Sequence, residues 1–326
     1  MKRRQTVNAL AALGIIAPAW SQTINKPRRI GYLALGKAEA EVARTTRQLY
    51  SDALKRAGWD ESRNLTIERR YAEGDSSRLH GLAEELARLD VEVIMASLNS
   101  GVAAAKSATR SIPIVMLGAN DPVEQGFVQS LAHPGGNITG TMVQSEAAGK
   151  SVEVAKNIAP WLNRMGIMFN PTVPGIRRVI LARSQTAIAL GMNVTYFEIT
   201  KAEEITSALD RIAASRIELL LVSSDGVTES RMREITTFAT KQKIISIGTV
   251  TLFTTVGGAI YYGSNLADIV NRGASFVDRI LRGADPRDLP VEQPTKFDLI
   301  LNLKTLRAIG LTVPRDVLLR ADEVIE

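Results

Sequence analysis

The chain has 326 residues with 40 Lys and Arg, 34 Asp and Glu, two His and no Cys, a formal net charge of +6. Without cysteine there is no disulfide, thiol nucleophile, thiolate metal site or lipid-modified cysteine, and His80 and His133 lack partners at ligand or triad spacing. Setting aside Lys2, Arg3 and Arg4 lowers the charge to +3 and leaves no dense basic block, which argues against nucleic acid as a partner.

Those three cations open the chain, and an apolar run over 9–17 with small residues behind it follows. This is the pattern of an export signal. Ala19 and Ser21 suit cleavage before Gln22, and Ala17 and Ala19 offer a second site before Trp20. The run is too short for a hydrocarbon core that needs about 20 residues, so membrane insertion is not expected. Residues 1–21 are read as a signal peptide and the mature chain as periplasmic. The pair Arg3-Arg4 hints at a twin-arginine signal but lacks strongly apolar residues behind it, so the export route stays open.

The mature chain then alternates strand and helix. A buried strand is expected over 29–35, and a helix over 39–57 aligns Val42, Leu49, Ala53 and Leu54. Leu65, Ile67, Arg69 and Tyr71 alternate as a strand; Leu79, Leu82, Ala83, Leu86 and Leu89 follow helical spacing behind Asp75 and Ser76. Strands follow over 91–96 and 112–117. Asn120-Asp121-Pro122 then reads as a cap with proline in the first turn of a helix running to Leu131. After a strand over 138–143 the alternation restarts, with strands over 165–169, 194–199, 219–222, 244–247 and 297–301, and an amphipathic helix over 265–282 that stops at Gly283. Such alternation implies an α/β fold of doubly wound parallel sheets with right-handed crossovers, and length without a linker favours two interleaved lobes.

In open α/β sheets the ligand sits beyond the carboxyl ends of the strands. The residues there are polar and small: Ser97, Asn99 and Ser100; Asn120 and Asp121; Asn170; Ser224 and Asp225; Thr249; and Tyr262. Each also has a plain structural reading as a cap or turn residue, and of Tyr261 and Tyr262 alternation sends one into a core. Gly149-Lys150-Ser151 imitates the end of a phosphate loop, but Gln144 stands where a glycine is required, so it reads as helix surface. Neither G-x-S-x-G nor G-x-G-x-x-G occurs. The set suits binding rather than bond breaking, and no enzyme activity, metal or cofactor is expected.

The segments Arg29-Ile30-Gly31-Tyr32-Leu33, Ile112-Pro113-Ile114-Val115, Asp121-Pro122-Val123, Pro134-Gly135-Gly136-Asn137-Ile138-Thr139-Gly140, Leu289 through Phe297, Asn302-Leu303-Lys304-Thr305 and Ala321 through Glu326 resemble the substrate-binding proteins of ABC transporters that include the tryptophan-binding type. The resemblance covers nearly the whole chain. It implies a type I periplasmic binding fold whose two lobes, joined by three crossing strands, close on a solute. Carried over, it places lobe 1 at 28–142 and 248–288 and lobe 2 at 143–247 and 289–326, with crossings near Thr141, Gly248 and Pro290. It adds the crossing over 141–145, with Thr141, to the expected ligand contacts. Ser97-Leu98-Asn99-Ser100 replaces the small Gly-Thr-Pro-like residues of many relatives, so tryptophan specificity does not carry over. The expected function is a monomeric receptor that captures a small organic solute, an amino acid or aromatic carboxylate, and presents it to an inner-membrane ABC permease. Asp121 is the expected acceptor of an ammonium group and Tyr262 the expected ring or hydroxyl contact. Rival readings are a ligand sensor feeding a sensor kinase, which the sequence does not separate, and an exported α/β enzyme, for which only scattered Ser and Asp are available.

Overall fold

The computed structural model describes residues 27–143 and 149–326. The expected signal peptide and residues 144 and 145 of the expected crossing lie outside the described residues. In chain order the first lobe is built from β1 Arg28–Ala34, α1 Glu41–Arg56, β2 Leu65–Tyr71, α2 Leu79–Arg88, β3 Ile94–Ser97, α3 Leu98–Ala108, β4 Ile114–Asn120 and β5 Ile138–Val143. The strands form one wholly parallel sheet in the order β2-β1-β3-β4-β5. Apolar residues cover both of its faces. Leu33, Leu86, Ile94, Ile114 and Met116 pack on one side, and Ile30, Leu54, Met95 and Val115 on the other. This is why the inner strands β1, β3 and β4 read as largely apolar runs, while the edge strand β2 is more polar.

The chain continues through α4 Lys150–Ile158, β6 Arg164–Phe169, α5 Ile176–Ala189, β7 Asn193–Glu198, α6 Glu204–Ala214, β8 Leu219–Val222, α7 Gly226–Ser230, α8 Met232–Lys241, β9 Ile245–Gly248, α9 Leu252–Thr255 and β10 Ile260–Ser264. After α10 Leu266–Leu281 come β11 Phe297–Asn302 and β12 Glu323–Ile325. The second sheet has the order β12-β11-β10-β9-β8-β6-β7, parallel except for the β10–β11 pair. It too is covered on both faces. Two α/β lobes with parallel sheets are thus what the alternation implied.

Three details depart from expectation. Residues 248–288 do not belong wholly to lobe 1, because β10 pairs with β9 and β11 in the second sheet, and only α10 packs on α1, β4 and β5. The chain therefore changes sheet at Asn265, not near Gly248. Residues 289–292 likewise stay with the first lobe, where Glu292 N–H donates to Gly140 O (2.9 Å) and Met142 N–H to Glu292 O (3.0 Å). Strand pattern announces a strand; it does not say which sheet receives it. Second, no helix forms over 122–131. Asp121 and Gly126 adopt left-handed φ of 45° and 65°, and the segment is a series of turns closed by Gln125 N–H to Asp121 O (3.0 Å) and Phe127 N–H to Pro122 O (2.8 Å). A helix cap needs extended backbone, which Asp121 lacks. Third, α3 starts immediately after β3, so Leu98, Asn99 and Ser100 are its first turn, entered through Leu98 at φ 56°.

Candidate functional site

A cavity of about 320 Å³ lies between the carboxyl ends of the two sheets, with walls from both lobes. The first lobe supplies a tyrosine wall: Tyr32 within β1, Tyr50 from α1 and Tyr71 at the end of β2. Tyr32 stands 6.2 Å from Tyr50 and 5.7 Å from Tyr71, ring centre to ring centre, both pairs tilted by 54°. Burial pushes all three phenols above their ordinary range. They stay neutral and line the cavity as uncharged aromatic rings. Ser97, Asn99, Ser100, Asn120, Leu117 and Gly118 complete this wall.

The second lobe contributes Val173, Pro174, Ile176, Val179 and Arg183 around α5, then Ser223 to Gly226 and Glu229 at α7, and Thr249 and Tyr262 beyond β9 and in β10. Most of the lining is apolar. The Arg183 side chain makes no hydrogen bond or ion pair among the described residues; its Nε is shut off from water without a partner, and burial lowers its pKa to about 10. Glu229 is raised to about 7, first by burial and then by the neighbouring Asp225 carboxylate. Its Oε2 lies 3.7 Å from where a Cβ on Gly36 would stand, so it reaches across to the first lobe. Ser224 Oγ is a second buried polar atom without a partner.

Eight of the eleven expected contacts line this cavity: Ser97, Asn99, Ser100, Asn120, Ser224, Asp225, Thr249 and Tyr262. Several are already engaged. Asp225 Oδ1 accepts from Thr228 N–H (3.0 Å) and Thr228 Oγ1 (3.1 Å), capping α7, while Oδ2 accepts from Asn170 Nδ2 (2.6 Å). Thr249 Oγ1 accepts from Ser224 N–H (2.9 Å). The Tyr262 ring lies parallel to Phe297 at 6.1 Å. Asn99 Oδ1 accepts from Asn120 N–H (2.7 Å), and its Nδ2 donates to Pro174 O (3.1 Å) on the other lobe.

Three expected contacts do not line the cavity. Asp121 faces Arg178, Oδ2 to Nε 3.8 Å, and Arg178 also pairs with Glu124. Thr141 is buried, its hydroxyl accepting from Gly118 N–H (3.1 Å) and donating to Met116 O (3.2 Å), where it braces the irregular end of β4. Asn170 acts one step back from the cavity, by holding Asp225.

Sequence reasoning missed Tyr32, Tyr50, Tyr71, Arg183 and Glu229. A signal for Arg183 exists: Ile176, Val179, Ile180, Arg183 and Ala187 share one helical stripe, so an arginine occupies an otherwise apolar face. Among the described residues no cluster of three or more His, Asp or Glu could hold a metal ion.

Residues 39–325 match the model of the family described as ABC transporter substrate binding protein. A tyrosine-binding protein of Clostridioides difficile (strain R20291) is 25% identical over 259 residues, 79% of this chain and 74% of that protein. The crystal structure of an ABC domain in complex with L-Trp from Streptococcus pneumonia superposes with a TM-score of 0.85 at 22% identity, over 92% of this chain and 100% of that one. A ligand-free, open substrate-binding protein with adhesive properties from Clostridium difficile superposes at 0.67 with 26% identity, over 91% of this chain and 99% of that one.

Proposed function

We infer that this chain, which belongs to the ABC transporter substrate-binding protein family, is the receptor of an importer that takes up a small aromatic solute, an amino acid or aromatic acid. The observation that carries this is the cavity itself: about 320 Å³, mostly apolar, with the tyrosine wall on one lobe and, on the other, an arginine whose side chain has no partner among the described residues. Such a volume suits a small-molecule site. Walls divided between two lobes mean that a solute completes its contacts only when the lobes meet, so binding draws the protein toward the closed form. The closed form is what an inner-membrane permease would recognise. The basic start and apolar run of the chain support delivery to the periplasm. The relatives that bind tyrosine and L-Trp support the aromatic class.

The test is a thermal-shift screen of the chain from Gln22 onward against aromatic amino acids, aromatic acids, purines and sugars. An aromatic solute at 100 times its dissociation constant adds about 2.7 kcal/mol of stability. Stabilisation by sugars or purines alone would overturn the aromatic reading.

A further inference from the structure

Resting on that receptor reading, we propose that Arg183 and Glu229 form a two-sign anchor that selects a solute carrying both a carboxylate and an ammonium group, a free amino acid, over an acid or amine of the same shape. Among the described residues that line the cavity, Arg183 is the basic side chain and Asp225 and Glu229 are the acidic ones. Asp225 is spent on the α7 cap and on Asn170. Asp121, outside the cavity, is spent on Arg178. The Glu229 side chain makes no hydrogen bond or ion pair among the described residues; its backbone N–H donates to Asp225 O (2.9 Å). The charged and titratable groups that bear on it are Asp225 from the start of its own helix and Tyr32 from β1, and neither supplies a cation.

Arg183 and Glu229 thus share one cavity, are of opposite sign when both are ionised, and do not pair with each other. Burying an ion without a counter-ion is costly, and proteins ordinarily neutralise it by pairing. A ligand carboxylate satisfies the guanidinium fork through charge-assisted bonds, and a ligand ammonium satisfies the Glu229 carboxylate. A lone carboxylate would meet Arg183 but leave Glu229 uncompensated, and a lone amine would do the reverse. Discrimination therefore comes from the group left unpaired as much as from the bond formed. Both anchors belong to the second lobe, and the tyrosine wall to the first. The charged head of the solute seats on α5 and α7 and its side chain points at Tyr32, Tyr50 and Tyr71.

Calorimetry with two ligand series tests this: L-tyrosine, 3-(4-hydroxyphenyl)propionate and tyramine; then L-tryptophan, indole-3-propionate and tryptamine. The amino acid of at least one series is expected to bind at least about 100-fold tighter than its amine-free and carboxylate-free analogues, the scale of one buried charge left unpaired. Glu229→Gln is expected to weaken the amino acid tenfold or more while leaving the amine-free acid unchanged or tighter. Arg183→Met is expected to weaken the amino acid and the acid and to spare the amine; Arg183→Gln serves if the Met variant does not fold. Acids that bind the native protein as tightly as amino acids, with a ratio unmoved by Glu229→Gln, would overturn the two-sign anchor and leave the aromatic receptor standing. Failure of every compound in both series would overturn both.

Discussion

At the residue scale, function and stability pull against each other at Glu229. Its carboxyl is raised from 4.5 to about 7 in the folded chain. Between those values the folded protein keeps a proton that the unfolded chain has released, so stability falls as pH rises through that window and the full penalty is present above it. Glu229→Gln removes the titration and keeps the shape. Without ligand, the variant should melt at nearly the native temperature at pH 4.5 and above it at pH 8, as read by scanning calorimetry at both pH values. A lower melting temperature at pH 8 would mean that Glu229 already has a cationic partner in the empty protein. A gain in stability with a loss of binding is the usual mark of a functional group kept at a structural cost. Asp121 is the opposite case: cap geometry and ligand contact both looked plausible in the sequence, yet its left-handed φ of 45° and its pairing with Arg178 leave neither role.

At the scale of elements, the two lobes meet at the mouth of the cavity through backbone. A Cβ on Gly226, the first residue of α7, would stand 2.8 Å from Gly74 Cα and 3.1 Å from Gly74 O, in the loop after β2 on the other lobe. Asn99 at the start of α3 reaches Pro174 O, and Arg178 on α5 reaches Asp121 and Glu124, across the same seam. Alanine at a helical position would ordinarily gain up to about 1 kcal/mol over glycine. Here the added methyl blocks close approach of the lobes instead, and relief comes by holding them apart. Gly226→Ala should therefore keep its melting temperature within about 2 °C and lose on the order of tenfold in solute affinity, about 1.4 kcal/mol of closure. Calorimetry and a melt on the same sample check it, and equal affinity would show that the seam is slack. Nothing in the sequence announced this contact, because Gly74 and Gly226 are far apart in the chain and a pattern of single elements carries no distances. The first turn of α3 and the absent helix over 122–131 were hidden for a related reason. Both depend on left-handed φ at non-glycine residues, Leu98 and Asp121, which tertiary packing rather than local preference imposes.

At the scale of the whole molecule, what the sequence made legible was the alternation: β1 through β9 and β11 lie where periodicity put them, within three residues at each end. Helical stripes such as α10 were equally plain. Sheet membership was not, since β10 and α10 are neighbours in sequence yet join different lobes. The polar strand-end loops pointed to the cleft between the lobes, and eight of the eleven residues line its cavity. The tyrosine wall stayed hidden because, in a sequence, a tyrosine facing a cavity has the spacing of one facing a core, whereas Arg183 left a signal as a cation on an otherwise apolar helical stripe.

The same topology sets the last expectation. The described chain returns between the sheets at Asn265 and again between Glu292 and Phe297. Asn265 is fixed at both sides of its crossing, with Oδ1 capping α10 at Asp268 N–H (2.8 Å) and Nδ2 donating to both Asp298 carboxylate oxygens (2.9 Å each). A crossing pinned in this way passes bending to its neighbours without unfolding either lobe, which is the condition for a hinge. Across the cavity the seam is small and polar, so closure without solute gains little. Solute contacts that exist only in the closed form should shift the population strongly. Small-angle scattering is then expected to show a smaller radius of gyration on saturation with the amino acid that binds, at unchanged molecular mass. A radius that stays constant under saturation proven by calorimetry would mean that the lobes are locked together and that solute enters a rigid pocket.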